Sequence, residues 1–469
     1  MSEAENRVDE PKAGGSLLQE GRITLRLALP LIVGQVSQML MGVVDTMMIG
    51  RVGVTELAAS SFANTLIYLP MMFGIGMSMA VSIRVSQARG AEDPVAARGA
   101  LRHGLWITVG IGLLTLLGAW ALLPFLKFFR QTPAVIEAVP GYWLWIAASM
   151  IPAMAGMAVK NHADAMNRPW PVFCITFGSV LVNVGLNWIF IFGKLGVPAM
   201  GLTGAGLATF LARLMAFVGM LVWCLRARGL REWVPYRWFR PPDWEAVRDL
   251  VRVGFPASMQ LLAEVSAFVF ATLLIGTLGE VALASHQIAL SCAATVFMVP
   301  LGISMAQTVR IGEVVGAKQG WRMRNILLSG WAMGLGYASL TALGFLFLRE
   351  TIAAGFVEDA VTLQMASGLL LVAAAFQLSD SVQIIAAGSL RGLDDVKIPA
   401  WIAFGAYWVI SIPLGWALAI PLGWGVNGMW WGITLGLTLT AATLTLRALR
   451  KTRWVGRGEA GALNLESRS

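Results

Sequence analysis

Charge is what this sequence has little of. Only 13% of the 469 residues are Asp, Glu, Lys or Arg, about half the share of an ordinary soluble domain. Such a chain cannot cover itself with a solvated shell, and 57% hydrophobic residues with a mean hydropathy of +0.70 point to a polytopic membrane protein. Cysteine is nearly absent too. Cys174, Cys224 and Cys292 sit singly in apolar runs without CxxC spacing or clustered histidine, so they read as small core residues and exclude a thiolate metal centre. No Walker A sequence, nucleophile elbow or Cys/His metal pattern occurs, and the GIG at 74 to 76 is too short to cradle phosphate. ATP is therefore not the expected energy source, no enzyme chemistry is expected, and no cofactor is called for. The first twenty residues are polar and of mixed sign, unlike a cleavable signal.

What is present is length of apolar chain. About twelve stretches of 20 or more residues begin near positions 23, 57, 100, 134, 170, 200, 246, 283, 325, 361, 398 and 425, each long enough to cross a bilayer as a helix. The net charge of +9 would suit nucleic acid, but its distribution argues otherwise. With the N-terminus inside, 29 of the 35 Lys and Arg fall on the cytoplasmic side, against five (Arg51, Lys127, Arg130, Lys194 and Arg349) outside. This is the positive-inside pattern, and it predicts both termini in the cytoplasm of a multi-pass inner-membrane protein.

The chain is also a duplication. A shift of 226 positions sets Leu29-Pro30 on Phe255-Pro256, and MFGIGMSMAVSIRVSQARGA (72 to 91) on MVPLGISMAQTVRIGEVVGA (298 to 317), where eight of twenty residues are identical. Further on a shift of 224 places GLTGAGLATFLA (201 to 212) on GVNGMWWGITLG (425 to 436). The expected organisation is a polar tail (1–22), an N-lobe of six helices (23–226), a basic linker (227–245), a C-lobe of six helices (246–450) and a second polar tail (451–469). Six is even, so the halves insert the same way, and transporters place their sites between such repeats.

Ionisable residues well inside the spans are few, and each costs about 2.5 to 3.5 kcal/mol at the bilayer centre. They are Asp45, Arg213, Glu264 and Asp380. Glu264 follows Gln260 on one helical face, and its repeat counterpart is the uncharged Gln38. It reads either as a helix-to-helix hydrogen-bonder or as a carrier of a proton exchanged for a cation. Asp380 stands among Gln377, Ser381 and Gln383, a polar stripe that suggests a wet wall. Asp45 could pair with Arg51, about 9 Å of helical rise away, or take amide groups from Asn183 and Asn187. Arg213 has no evident partner nearby; a carboxylate across the bundle is one candidate.

These segments together look familiar. MGVVDTMMIGRVG, LNWIFIFGKLGVPAMGLTGAGLAT, ASHQIAL and the Q-x-x-D-x-x-Q followed by AAGSLRGLDD resemble the multidrug and toxin extrusion (MATE) family, on its NorM-like branch. The resemblance covers about residues 23 to 450. It implies an all-α fold of twelve transmembrane helices in two pseudo-symmetric lobes opening outward as a V, and export of cationic amphiphilic drugs in antiport with Na⁺ or H⁺. The family's cation residues carry over to Glu264 and Asp380, with a monovalent cation between them, and its N-lobe carboxylate to Asp45. Asn183, Asn187, Gln38, Gln260, Gln287, Gln377 and Gln383 are the supporting polar groups. Arg213 departs from the family pattern, and Phe376 stands where relatives can carry Tyr; both are candidates for tuning substrate or cation contacts. Expected partners are small lipophilic cations, the coupling ion and membrane lipid, with the chain acting as a monomer.

Competing readings are weaker on the same residues. A lipid-linked oligosaccharide flippase of a related superfamily would need a wide cationic cavity, whereas this chain buries acids. A major-facilitator protein would carry G-x-x-x-D-R after its second helix, and VSQARGAEDPVAARG lacks it.

Overall fold

The computed structural model describes residues 16–129 and 131–466, those from 453 onward by backbone alone. Twelve helices are long and apolar enough to cross a membrane, and no strand occurs among the described residues. In chain order they are α1 (Leu17–Gly50), α2 (Val54–Gly90), α3 (Pro94–Leu122), α4 (Pro133–Ala165), α5 (Pro169–Phe192), α6 (Gly201–Arg226), α7 (Trp244–Gly276), α8 (Glu280–Gly316), α9 (Met323–Ala354), α10 (Ala360–Gly392), α11 (Lys397–Ala419) and α12 (Gly425–Glu466). Helix α11 is interrupted by a π-helical turn over Gly405–Ser411. The chain is thus an all-α, multi-pass membrane protein, and its even number of crossings puts the two ends of the described chain on one face, here called the terminal face.

Local chemistry fixes where the helices start. Asp93 Oδ1 accepts from Val95 N and Ala96 N at 2.9 and 3.0 Å ahead of a first-turn proline, while Asp243 and Asp359 cap α7 and α10 in the same way. Ser16 caps α1, which therefore begins six residues before the boundary expected from polarity. Glu20 in that first turn is wholly buried, paired with Arg310 and, at 2.8 Å, with Arg322. Those partners lie in α8 and just before α9, which no local polarity count can see. At the other end α12 continues as helix to Glu466, past the expected tail boundary at 450. Residues 1–15 and 467–469 of the expected tails lie outside the described residues.

The duplication is written in the backbone. Glu92 and Lys318, 226 positions apart, both take φ of 53°, Asn167 and Asp394 take 54° and 60°, and Gly201 and Gly425 take 53° and 57°. Left-handed φ is uncommon outside glycine, so its recurrence at matching positions marks the same turns made twice.

Three buried clusters define the shape. One at the terminal face draws on both halves, with Leu31, Val85, Ile303, Leu390 and Leu444. Towards the opposite face the core divides: Ile49, Ile67, Trp143 and Met150 belong to the first half, and Ile275, Leu369, Tyr407 and Met429 to the second. The halves are joined at the terminal face and separate away from it, the V that the resemblance implies. Ion pairs across the seam hold the closed end. Arg84 on α2 donates to Asp249 on α7 through Nε and Nη2 at 2.6 and 2.7 Å and approaches Asp394 at 3.1 Å. Its repeat mate Arg310 on α8 reaches Glu20 on α1.

Candidate functional site

Each half holds its acids in its own interior. In the second half, α7 brings Glu264 against α11, where the Tyr407 hydroxyl donates to Glu264 Oε1 at 3.2 Å. Asp380 on α10 is 5% exposed, lies within electrostatic reach of Glu264 and accepts no hydrogen bond among the described residues. A buried carboxylate without donors is costly to leave charged. The remaining cation of the region is Arg391, near the end of α10. It is buried, interacts with Glu264 through space, and spends its Nε on Ala387 O and its Nη1 on Met79 Sδ, without an ion pair among the described residues.

The neighbours of the acid pair are aromatic. Phe376 packs edge-on against Phe268 and Trp430, with ring centroids 6.1 and 5.8 Å apart, so it contributes an apolar wall, and the phenol comes from Tyr407 on another helix. Trp430 Nε1 donates to His286 Nδ1 at 3.1 Å, while His286 Nε2 meets Thr272 Oγ1 at 2.9 Å. Since Nδ1 accepts, the ring proton sits on Nε2. The polar stripe expected on α10 is distributed around that helix. Gln377 donates to Ala293 O on α8 at 3.2 Å, Ser381 packs against Gly334 on α9, and Gln383 is fully enclosed with neither amide atom bonded. Gln260 is buried below Glu264, Gln287 is exposed while its neighbour His286 is not, and Gln38 is exposed on α1.

In the first half, Asn187 Nδ2 donates to Asp45 Oδ1 at 2.6 Å and to Asn183 Oδ1 at 3.2 Å. Both asparagines are fully buried, and they bind Asp45 inward to α5. The alternative pairing with Arg51 is not formed, because Arg51 lies in the turn beyond α1 while Asp45 faces the amides. Arg213 on α6 donates to Ser149 Oγ at 2.8 Å and acts on Asp45 and Tyr142 through space. The carboxylate across the bundle is thus Asp45, reached through space, while the direct contact is to a hydroxyl on α4. Tyr142 in turn donates to Asn64 at 3.3 Å. The two acid groups, Glu264 with Asp380 and Asp45 with its amides, occupy different halves and share no contact.

Sequence reasoning passes over Tyr407, Arg391, His286, and a buried trio on α4. There Lys160 Nζ donates to Asp164 Oδ2 at 2.7 Å beside His162, whose ring nitrogens have no partner. The scarcity of tyrosine was a usable signal, since only five occur and Tyr142 and Tyr407 are both buried.

The same architecture recurs in known proteins. The MatE family pattern matches the chain twice, over residues 30–189 and 256–417, one match in each half of the duplication. The probable multidrug resistance protein NorM of Agrobacterium fabrum is 34% identical over 443 residues, 93% of this chain and 95% of that protein. The multidrug resistance protein MdtK of Yersinia pseudotuberculosis is 34% identical over 442 residues, 93% and 96% of the two chains. Among solved structures, the outward-facing conformation of a multidrug resistance MATE family transporter of the MOP superfamily superposes with a TM-score of 0.85 over 93% of this chain and 97% of that one. At 18% identity that last likeness speaks for the fold. The duplicated twelve-helix chain with one family match in each half is a member of the MatE family.

Proposed function

We propose that this protein is a secondary active multidrug efflux transporter that exports cationic amphiphilic compounds in antiport with Na⁺ or H⁺. The terminal face, which carries most of the Lys and Arg outside the spans, is cytoplasmic, and the membrane is the inner membrane of the cell. The observation that carries the reading is the second-half acid pair: Glu264, half-buried, and Asp380, buried, within electrostatic reach of each other and with one phenol as donor. The pair is suited to a proton or a monovalent cation supplied as co-substrate. No resident cofactor is required.

The cycle follows from charge. A cation entering from outside neutralises the pair, the drug leaves, and return of the emptied acids to the cytoplasmic opening recruits the next cationic substrate. One charge crossing 100 mV supplies about 2.3 kcal/mol, which sustains roughly a fortyfold gradient of an exchanged solute. Asp45 with Asn183 and Asn187 forms the matching polar site of the first half. Arg213 beside it adjusts the charge offered to substrate. The protein works as a monomer, each half already having its repeat partner.

Ethidium efflux from energised cells tests this directly. Glu264→Gln and Asp380→Asn are each expected to abolish efflux at unchanged protein level, and normal efflux in both sinks the proposal. Imposed Na⁺ and pH gradients in inverted vesicles then separate the two coupling ions. The lipid-linked flippase reading is disfavoured by the buried acids.

A further inference from the structure

A cavity of about 1320 Å³ opens between α2 and α3 of the first half and α7 and α11 of the second. Its walls include Leu69, Leu114, Phe255, Trp401 and Phe404, all large apolar side chains that remain exposed, so its mouth lies on the surface that faces the bilayer. Along α7 the lining runs from Phe255 to Ser266, and along α11 from Lys397 to Trp408, in each case about 16 Å of helical rise. On these two helices that is close to half of a hydrocarbon core of about 30 Å, starting at the terminal face, and on the first half the lining continues to Leu122 and Trp143, nearer the opposite face.

Its polarity is wrong for a drug cation. The lining has only Thr115, Ser266 and Lys397 as polar side chains and contains no carboxylate. Lys397, at the terminal end, is exposed and forms no ion pair among the described residues. Arg252, one turn below Phe255 and Pro256 on the same face of α7, is likewise exposed and unpaired, and Arg248 follows one turn further. The adjacent acids are already held, Asp249 and Asp394 by Arg84 at 2.6 and 3.1 Å and Asp395 by Arg447 and Lys451 at 2.6 and 3.0 Å, leaving Glu245 in the first turn of α7. The volume also exceeds the roughly 300 to 1,000 Å³ of a pocket for one drug-sized ligand.

We propose that this cavity is a resident site for an anionic glycerophospholipid, its acyl chains in the apolar space and its headgroup phosphate between Lys397 and Arg252. Apolar depth with free cations at headgroup level on one face is the chemistry by which spaces between membrane helices select acidic lipid. The inference rests on the spanning of α7 and α11 and is independent of the transport reading.

Native mass spectrometry of the purified full chain, equilibrated with equal phosphatidylglycerol and phosphatidylcholine, reads the site out. Preferential retention of phosphatidylglycerol is expected. Lys397→Gln should lower that retention about fivefold, from about 1 kcal/mol per surface cation, with Lys397→Arg restoring it and phosphatidylcholine unaffected. Gly118, where a side chain would meet nothing within 4 Å, allows the cavity to be filled from α3, so Gly118→Trp should lower retention of both lipids. Equal retention of the two lipids by the unaltered chain, wild-type retention by a Lys397→Gln/Arg252→Gln double variant, or displacement of the lipid by ethidium would each overturn the assignment. Loss of efflux in Glu264→Gln leaves these outcomes untouched, so the two readings fail separately.

Discussion

Gly76 and Gly302 meet the opposite half in the same way. A Cβ on Gly76 would run into the backbone of Ser258 on α7, and one on Gly302 would lie 3.0 Å from the Cα of Ile32 on α1; Ser258 and Ile32 are themselves 226 positions apart, as the two glycines are. Gly90 and Gly316 repeat the relation nearer the terminal face, Gly90 against the carbonyl of Glu313 and Gly316 against that of Gln87. The seam between the halves is therefore a pseudo-twofold contact of backbone on backbone, possible only without side chains at these places.

Gly90→Ala and Gly316→Ala should each force the helices apart and lower stability by about 1 to 3 kcal/mol, the usual cost of overpacking. Gly110→Ala, where the added atom meets nothing within 4 Å, should leave stability unchanged or raise it slightly. Thermal unfolding in detergent compares the three, and wild-type melting of Gly90→Ala and Gly316→Ala would contradict the seam.

The two arginine locks differ in depth. Arg310 is 3% exposed and its partner Glu20 wholly buried, whereas the partners of Arg84 are partly open to solvent. Removing one member of a buried pair strands the other, and because Glu20 also holds Arg322 the stranding change is Glu20→Leu, which leaves the buried Arg310 without its carboxylate and is expected to cost about 3 to 5 kcal/mol. Arg84→Leu should cost about 0 to 1 kcal/mol. Chemical denaturation of the two variants orders them, and equal losses would refute the assignment of depth.

Asn187 is the hinge of the first-half network, donating to both Asp45 and Asn183. Asn187→Ala removes the donor that Asp45 uses and is expected to reduce efflux severalfold. Asn183→Ala leaves the Asp45 contact intact and should have a smaller effect, near the 0.6 kcal/mol or so typical of polar contacts between membrane helices. Dye efflux normalised to protein amount decides the order.

The acid of α7 cannot be moved to its repeat position. Gln38 is exposed on α1 and α5 carries no tyrosine to serve it as Tyr407 serves Glu264, so a Glu264→Gln chain that also carries Gln38→Glu should remain inactive. Restored efflux would show that the halves are interchangeable at this site.

Much of the architecture is legible in the chain because membrane spans and repeats announce themselves locally. The apolar run expected from 246 corresponds to α7 from Trp244, and the 226 shift that aligns Arg84 with Arg310 also aligns their roles in space. What sequence periodicity does not reveal is direction. Gln377, Ser381 and Gln383 lie close together in sequence, yet Gln377 ends on α8, Ser381 on α9 and Gln383 on no hydrogen-bond partner among the described residues, because α10 is enclosed on nearly all sides. Asp45 offers a second case: Arg51 is near in sequence, but Asn187, 142 positions away, is nearer in space. Lys160 and Asp164, four residues apart, could have been recognised as a self-neutralising pair that permits burial.

The wide turn of α11 from Gly405 to Ser411 has no equivalent in α5, which is regular throughout. A π turn accommodates an additional residue without disturbing the register on either side. Deleting one residue there would heal the helix and swing everything on one side of it by about 100°, turning Tyr407 from Glu264. The two halves thus differ in backbone as well as in side chains at this helix, and a tyrosine placed in α5 by point mutation would lack the turn that carries Tyr407.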